Sequence, residues 1–176
     1  MTLDSFSTTR LVAERLAAAH LPELRRMDQD EMFMARLGGV RDSRGTETYL
    51  AWNLEHWAEY GYGLWMLREA VTGAMVGRAV LRHVDVEGVD EVEVGYGFIP
   101  EAWGRGLATE VAVACVGIGR DRVGLESMVA ITLPDHAASQ RVMRKAGLSY
   151  ERDFLHLGVP HVLFRTLGVK GPVRAV

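Results

Sequence analysis

The segment Glu93–Glu110 constrains the fold most, because it passes from strand to turn to helix within one short stretch. Charged and apolar residues alternate over residues 91–94, as they do in a half-exposed strand. Gly104 and Gly106 follow, and a run that begins at Leu107 has the pattern of a helix. A strand that leads through a glycine turn into a helix allows a ligand to meet the helix N-terminus.

The glycine turn therefore predicts an anion site. Gly104 and Gly106 carry no β-carbon, so a phosphate or pyrophosphate can approach successive backbone N–H groups. The following helix adds a partial positive charge, and Arg105 adds a charge-assisted contact. No Gly-Lys-Ser/Thr and no three-glycine dinucleotide spacing occurs here, which argues against ATP and NAD. A tight connection without a ligand explains the same glycine pair, and both interpretations stay open at this point.

Composition excludes several classes of protein. The 176 residues carry a formal net charge of −3, and 48% are hydrophobic and 24% charged, as in one soluble globular domain. The sequence contains no long run of Lys and Arg, which a nucleic acid or an anionic membrane would require as a binding surface. No apolar stretch has the length of a membrane span. We therefore predict a single cytoplasmic domain over residues 1–176, with an ordered core over about residues 8–168.

The remaining pattern predicts an α+β fold. Helices are predicted at residues 21–27, 30–37, 46–60, 107–120 and 135–146. Strands are predicted at residues 9–16, 64–69, 74–83, 91–99, 127–132, 148–154 and 159–167. Asp135 is predicted to cap the last helix and Gly147 to follow its end. The strands of residues 64–99 are predicted to form an antiparallel meander with a polar turn at residues 85–90. A strand-helix-strand crossover is predicted to make part of the sheet parallel. Residues 169–176 are expected to be loose.

Four groups of residues, in this order, resemble the GNAT N-acyltransferases. They are Thr9-Arg10-Leu11, Glu93-Val94-Gly95-Tyr96, Pro100–Glu110 and Ser139-x-Arg141-Val142-x-x-Lys145-x-Gly147. The resemblance covers about Thr9 to Thr166. Within the family, the sequence is most similar to the ribosomal-protein alanine/serine N-terminal acetyltransferase-like branch. It implies a mixed, mostly antiparallel central sheet flanked by helices, in which the strand of residues 91–99 splays from its neighbour at a bulge.

The resemblance also implies a reaction. An acetyl group would pass from acetyl-CoA to a primary amine, on a protein N-terminus or a small molecule, by direct attack in a ternary complex. The pantetheine arm would pair with the strand edge near Phe98 and Ile99, and the pyrophosphate would lie on the N–H groups of residues 104–109. The cofactor-binding residues that this implies are Phe98, Ile99, Trp103, Gly104, Arg105, Gly106, Leu107, Ala108, Thr109 and His136. Two of them depart from the family pattern, which usually has Gln or Arg in place of Trp103 and Asn in place of His136.

Two side chains are the catalytic candidates implied by the resemblance. Glu93 would act as the base, through water, and Ser139 would give a proton to the departing thiolate, with a backbone N–H near Phe98 holding the oxyanion. Alternation alone would place Glu93 in solvent, and Ser139 could bond back to its own helix, so a structural role stays open for both. The reserve candidates are His83, Asp85, Tyr96 and His136.

The sequence does not identify the acceptor amine. An acidic patch could attract a cationic amine, or it could be a solvated hairpin; its members are Asp85, Glu87, Asp90, Glu91 and Glu93. An aromatic cluster could wall an acceptor cleft or belong to the core; its members are Trp52, Trp57, Tyr60, Tyr62 and Trp65. A catalytically silent acyl-CoA-binding sensor or regulatory domain is the alternative function, and Trp103 and His136 favour it.

Three further expectations complete the sequence-based picture. Cys115 lies in an apolar run and is expected to be a buried thiol without a reactive role. His156 and His161 have neither helical metal-ligand spacing nor an acidic or cysteine partner, so we predict no metal. The resemblance allows a homodimer, for which the sequence carries no signature.

Overall fold

One eight-stranded sheet organises the computed structural model, which describes residues 3–166. Strands β1 to β8 are Ser5–Ser7, Leu11–Arg15, Leu64–Glu69, Met75–Val86, Val89–Phe98, Val129–Thr132, Leu148–His156 and Val159–Thr166. Their order in the sheet is β1-β2-β3-β4-β5-β6-β8-β7. Every neighbouring pair is antiparallel except β5 and β6, which confirms the mixed, mostly antiparallel sheet.

Helices cover both faces of this sheet. Within residues 3–166 the α-helices α1 to α5 are Leu21–Asp28, Glu31–Met34, Ser43–Tyr60, Leu107–Ile118 and Ala137–Lys145. Successive side chains of a strand point to opposite faces. On β4, Val80 packs in the cluster that contains residues of α1 to α3, whereas its neighbour Leu81 packs in the cluster that contains residues of α4. The face that carries α1 to α3 is called the α3 face below.

The ends of α3 follow from local chemistry. The Asp42 carboxylate accepts a hydrogen bond from the Gly45 N–H at 2.7 Å and caps the first turn. Gly61 ends the helix with a φ of 72°, in the left-handed region that glycine adopts at low cost. The sequence-based prediction began this helix at Thr46, one turn late.

Several boundaries differ from the predictions. Strand β1 was not predicted, because it has only three residues and no apolar alternation. Helix α2 ends at Met34 rather than at Leu37, since the chain turns ahead of the two glycines at 38 and 39. The polar turn expected at residues 85–90 shrinks to Glu87 and Gly88, because β4 and β5 continue to either side of it. Residues 167–176, including the tail expected to be loose, lie outside the described part of the chain.

Asp135 is not the helix cap that the sequence predicted. The residue that precedes α5 is His136, and its side chain makes no capping hydrogen bond. The Asp135 carboxylate instead pairs with the guanidinium of Arg36, far away in the sequence. A long-range ion pair has therefore replaced the local cap. Gly147 follows the end of the helix with a φ of 88°, as expected.

Strands β5 and β6 separate after a single register pair. The pairing of β5 with β4 runs without a break from Gly77 opposite Phe98 to Val86 opposite Val89. The parallel pairing of β5 with β6 has one register pair, Glu93 opposite Val129. This geometry confirms the splayed strand pair. The expected bulge does not occur in the β4–β5 ladder, because its register is continuous.

Arg10 joins β2 to the start of α4. Its Nε atom lies 2.7 Å from Glu110 Oε2, and the hydroxyl of Thr8 donates to Glu110 Oε1 at 2.5 Å. Burial opposes the charge of Glu110, but these hydrogen bonds outweigh it, so the pKa of the carboxyl is lowered. Arg10 Nη1 also donates to the carbonyl oxygen of Arg105 at 2.7 Å. The resembling Thr9-Arg10-Leu11 group therefore fixes the glycine turn to the sheet.

Candidate active site

The turn before α4 has the backbone of an anion cradle. Gly104 has a φ of 71° and Gly106, which precedes the helix, a φ of 77°, in the region that favours glycine. A β-carbon on Gly104 would meet no atom within 4 Å, so the backbone conformation and not crowding explains glycine there. The first N–H groups of α4, at residues 107–109, have no acceptor within the helix. These groups fit a diphosphate, the ligand expected from the sequence.

The guanidinium of Arg105 is not free to bind an anion in this cradle. It pairs with Glu69 at the end of β3. The hydrogen bond from Arg105 is the main reason why the pKa of Glu69 lies below its usual value. An anion in the cradle would therefore compete with Glu69 for Arg105.

Trp103 links the turn to the free edge of β5. Its indole N–H donates to the carbonyl oxygen of Phe98 at 2.6 Å. The Ile99 N–H donates to Val76 on β4 at 3.0 Å, so the preceding Phe98 carbonyl points the other way, toward the splay. Phe98 thus presents its backbone where the sequence placed the pantetheine arm, whereas the Ile99 N–H faces β4.

A cavity of about 130 Å³ opens beside the splay and brings the two catalytic candidates together. Glu93 and Ser139 both line it, together with Tyr96 and His136. The other two reserve candidates, His83 and Asp85, are not among the described residues that line it.

Glu93 is buried and held by one partner. It lies on the α3 face directly opposite Arg82 of β4, and Arg82 Nε donates to Glu93 Oε2 at 2.7 Å. Glu93 is 9% exposed, so the solvated side chain that simple alternation predicts is not what the structure shows. Burial disfavours the charge of Arg82, but the attraction of Glu93 outweighs it and raises the pKa of the guanidinium. The guanidinium therefore stays charged at neutral pH.

Gly95 leaves space beside the Glu93 carboxylate. A β-carbon built at Gly95 would lie 2.8 Å from a methyl of Val80 and 4.0 Å from Glu93 Oε1. The same construction at Gly97 would meet Leu37 at 2.9 Å and Phe33 at 3.0 Å. Crowding on the α3 face therefore accounts for both glycines.

Ser139 is paired with Tyr96 across the cavity wall. The two hydroxyl oxygens lie 3.1 Å apart, and the Tyr96 hydroxyl also donates to the Ser139 carbonyl oxygen at 3.2 Å. Burial raises the pKa of Tyr96 to about 12, although the bond to Ser139 works against the shift. Tyr96 is therefore protonated at neutral pH and can donate a hydrogen bond. The sequence placed it only in reserve, because the contact with Ser139 depends on how α5 packs on β5.

His136 lines the cavity at the start of α5. Its Nδ1 atom lies 3.2 Å from the hydroxyl of Thr132 at the end of β6. Burial is the main cause that lowers the pKa of His136, and the charge of Arg36 adds to it. The imidazole is therefore neutral at pH 7 and can act as a hydrogen-bond partner there.

Comparison with known proteins decides the family. Residues 10–149 match the family model described as the acetyltransferase (GNAT) domain. The chain belongs to the GNAT acetyltransferases. It is 30% identical over 153 residues to the uncharacterized protein YkkB of Bacillus subtilis (strain 168), which covers 82% of this chain and 87% of YkkB.

Solved structures of GNAT proteins share the fold. An acetyltransferase from Agrobacterium tumefaciens str. C58 superimposes with a TM-score of 0.83 at 23% identity, over 95% of this chain and 96% of that one. RimL, a ribosomal-protein acetyltransferase solved in complex with coenzyme A, superimposes with a TM-score of 0.74 at 16% identity, over 91% of this chain and 95% of its own. The family and the fold together support an acyltransferase.

The acidic patch of this GNAT domain is partly paired with arginine. Three of its members form ion pairs that the sequence could not assign to them: Glu87 with Arg152, Glu91 with Arg165 and Glu93 with Arg82. Asp90 lies 2.8 Å from His83 Nδ1. These contacts reduce the negative charge that the patch offers to a cationic amine.

The aromatic cluster belongs mainly to the core. Trp57, Tyr62 and Trp65 are all buried, whereas Trp52 and Tyr60 are exposed. Trp52 approaches the cavity indirectly, with the Arg82 guanidinium 5.9 Å from its ring centroid.

The remaining expectations concern thiol, metal and membrane. Cys115 is fully buried, and burial raises the pKa of its thiol to about 12, which confirms an unreactive core residue. Among residues 3–166, His, Cys, Asp and Glu form no group of three that could hold a metal ion. None of the helices described is both long and apolar enough to span a bilayer.

Proposed function

We propose that this GNAT domain is an acetyl-CoA-dependent N-acetyltransferase that acts on a primary amine by direct attack in a ternary complex. One observation carries the proposal: Glu93 and the Tyr96–Ser139 pair line the same cavity, where β5 separates from β6. An amine that enters this cavity would meet a carboxylate on one side and two hydroxyl groups on the other.

The cradle residues would hold the cofactor at the opposite end of the splay. The turn at Gly104 and Gly106 and the N–H groups of residues 107–109 would bind the diphosphate. The Phe98 carbonyl oxygen accepts the Trp103 indole N–H with one lone pair and would accept an N–H of the pantetheine arm with the other. Bound in this way, acetyl-CoA supplies an activated thioester.

Glu93 would remove the proton from the amine. The hydrogen bond from Arg82 fixes the orientation of the carboxylate, while Oε1 remains on the side of the small Gly95. A positioned base of this kind contributes about 100-fold to 10,000-fold to a rate. Direct or water-mediated transfer to Glu93 leaves the amine lone pair free to attack the thioester carbonyl.

The hydroxyl groups would act on the departing sulfur. The Tyr96 pKa of about 12 makes the phenol a stable hydrogen-bond donor, and its contact with Ser139 orients the second hydroxyl. Donation to the developing thiolate stabilises the leaving group. The backbone N–H of Phe98 lies on the same side of β5 as its carbonyl and could hold the oxyanion.

The test is the release of free thiol from acetyl-CoA with a panel of amines and N-terminal peptides, followed by mass spectrometry of the products. An acetylated amine, and a loss of turnover in Ser139→Ala with unchanged acetyl-CoA affinity, would support the proposal. The alternative is a silent acyl-CoA sensor, which Trp103 and His136 favour. Stabilisation by acetyl-CoA without thiol release for any amine would establish that alternative.

A further inference from the structure

The charged wall of the cavity is dominated by arginine. Of the described residues, those that line the cavity and carry a full charge are Arg36, Arg41, Arg78, Arg82 and Glu93. Arg78 and Arg82 stand four residues apart on β4, and the other two arginines come from the α2–α3 region. Four cations and one anion therefore face a space of about 130 Å³.

Two of these arginines are neutralised by their own partners. Glu93 balances Arg82 at 2.7 Å. Asp135 pairs with Arg36 at the exposed rim, where its side chain is 70% exposed. Neither of these pairs leaves a charge that needs a further partner.

The other two arginines share one carboxylate. Asp28 is fully buried, and its Oδ1 atom accepts from Arg78 at 2.6 Å and from Arg41 at 3.1 Å. Its Oδ2 atom accepts from the hydroxyl of Thr46 at 3.1 Å. One carboxylate cannot balance two guanidinium groups, so one positive charge is left at the cavity wall.

The aromatic neighbours of these guanidinium groups do not remove the excess. The Arg41 and Arg78 guanidinium carbons lie 4.3 Å and 5.1 Å from the ring centroid of Tyr49. An aromatic face stabilises a cation without neutralising it. Arg41 keeps 28% of its side chain exposed, whereas Arg78 keeps 7%. Arg41 is therefore the group that a ligand can reach.

We infer that the acceptor amine carries an anionic group, a carboxylate or a phosphate, which binds at the wall formed by Arg41 and Arg78. The inference rests on the proposed amine acetylation and deepens it by naming the chemistry of the acceptor. The buried carboxylate of Asp28 holds the two guanidinium groups in place before any ligand arrives, which reduces the entropy lost on binding. A guanidinium also matches the geometry of carboxylate and phosphate oxygens better than an ammonium does.

The two ends of such an acceptor would lie on one face of the sheet. Glu93 is opposite Arg82, and Arg78 is four residues earlier on the same strand, about 13 Å away between α-carbons. The side chains of Arg78 and Glu93 both line the cavity, whose volume is about 130 Å³. A small amino acid with separated amine and acid groups fits this arrangement better than a polyamine, which would add cations to a cationic wall.

Product analogues test the inference without any turnover. Calorimetry on the full chain with coenzyme A would compare N-acetylated ω-amino acids, from N-acetylglycine to 6-acetamidohexanoate, with their uncharged carboxamides and with monoacetylated diamines. We expect at least one carboxylate to bind about 10-fold or more tightly than its carboxamide, because the charged hydrogen bonds are lost in the amide. The monoacetylated diamine of the same length should bind most weakly. Equal affinity of acid and amide at every length would overturn the inference.

Variants locate the binding group. Arg41→Gln should reduce the preference for the acid to less than about 3-fold, while Arg44→Gln, an exposed arginine in the first turn of α3, should leave it unchanged. Acetyl-CoA affinity should stay within about twofold of the wild type in both. A loss of acetyl-CoA affinity in Arg41→Gln would overturn the inference by showing that the wall binds the cofactor. If Arg41→Gln does not fold, Arg41→Lys is the second variant. It keeps the positive charge but loses the two parallel N–H donors of the guanidinium, so it should retain part of the preference for the acid over the carboxamide.

Failure of the two proposals would look different. Tight binding of the acids with no thiol release from any amine would reject the acetyltransferase and keep an anion-binding wall. Thiol release with diamines and carboxamides, but no preference for acids, would keep the acetyltransferase and reject the inference.

Discussion

Arg82 and Glu93 face each other directly across β4 and β5, with Nε and Oε2 2.7 Å apart. The pair lies on the α3 face at the point where β5 forms its one register pair with β6. An ion pair at this position fixes the orientation of a carboxylate next to the cavity. It places that carboxylate where the proposed proton transfer from the amine would need it.

Glu93→Gln should lower kcat by about 100-fold or more near pH 6.5 and by less near pH 9. The reason is that solvent deprotonates a larger share of the amine as pH rises, so the missing base matters less. Steady-state rates across pH, with acetyl-CoA affinity measured separately, would check this. Glu91→Gln is the matched control, since Glu91 is an ion-paired carboxylate two residues earlier that does not line the cavity. An unchanged rate at every pH would remove Glu93 from the mechanism.

Gly106→Ala should weaken acetyl-CoA binding by about 10-fold or more. A β-carbon at a φ of 77° forces the turn to change and redirects the N–H groups at the start of α4. Gly124→Ala is the control, because Gly124 has a φ of 84° and open space around it but lies beyond α4. Both variants should lose about 1 kcal/mol of unfolding free energy, yet only the first should lose affinity by calorimetry. Intact affinity in Gly106→Ala would refute the cradle.

Trp103→Phe should weaken acetyl-CoA binding by about 5-fold, because a neutral hydrogen bond contributes about 1 kcal/mol. The substitution keeps an aromatic ring and removes the N–H that fixes the turn to Phe98. Trp52→Phe is the matched control, because Trp52 is also an exposed tryptophan but lies on α3. Calorimetric titration of both variants provides the comparison. If Trp103→Phe binds as tightly as the wild type, the link between turn and strand does not contribute to cofactor binding.

The stability of the wild type should fall between about pH 10 and pH 12 more steeply than that of Tyr96→Phe. An unfolded tyrosine loses its proton near pH 10, whereas burial delays ionisation of Tyr96 to about pH 12. The unfolded state thus binds fewer protons in this range, and stability decreases by at most about 1.4 kcal/mol per pH unit. Urea unfolding at pH 8 to 11.5 measures the difference. Parallel curves for the two proteins would contradict a buried, protonated Tyr96.

The order of strands and helices was largely predictable from the sequence. Alternation at residues 91–94, the glycine turn and the helical run after Leu107 each depend on neighbours along the chain. Local patterns of this kind predicted the meander and the parallel crossover. Strand β1 escaped because three residues carry too little periodicity to be recognised.

The pairing of charges could not be predicted in the same way. Asp135 has the sequence context of a helix cap, but its carboxylate pairs with Arg36 instead. The two residues are 99 positions apart in the chain. The acidic hairpin looks like a cation site until Arg152 and Arg165 are placed beside it. Asp28 belongs to no recognisable motif, although its carboxylate is shared by Arg41 and Arg78 and so sets the net charge of the cavity wall. Such partners follow from tertiary packing, which periodicity does not encode.

The wall of the cavity is divided between two parts of the chain. The sheet and α5 provide Glu93, Tyr96 and Ser139, whereas the segment before β3 provides Arg41, from the α2–α3 loop, and Tyr49, from α3. At the proposed acceptor site, a substitution of Arg41 would change the choice of acceptor without altering Glu93 or Ser139. Exchange of the whole segment 21–60 would have a wider effect, because Asp28 holds Arg78 of β4 and Tyr49 bonds to Arg82, the partner of Glu93.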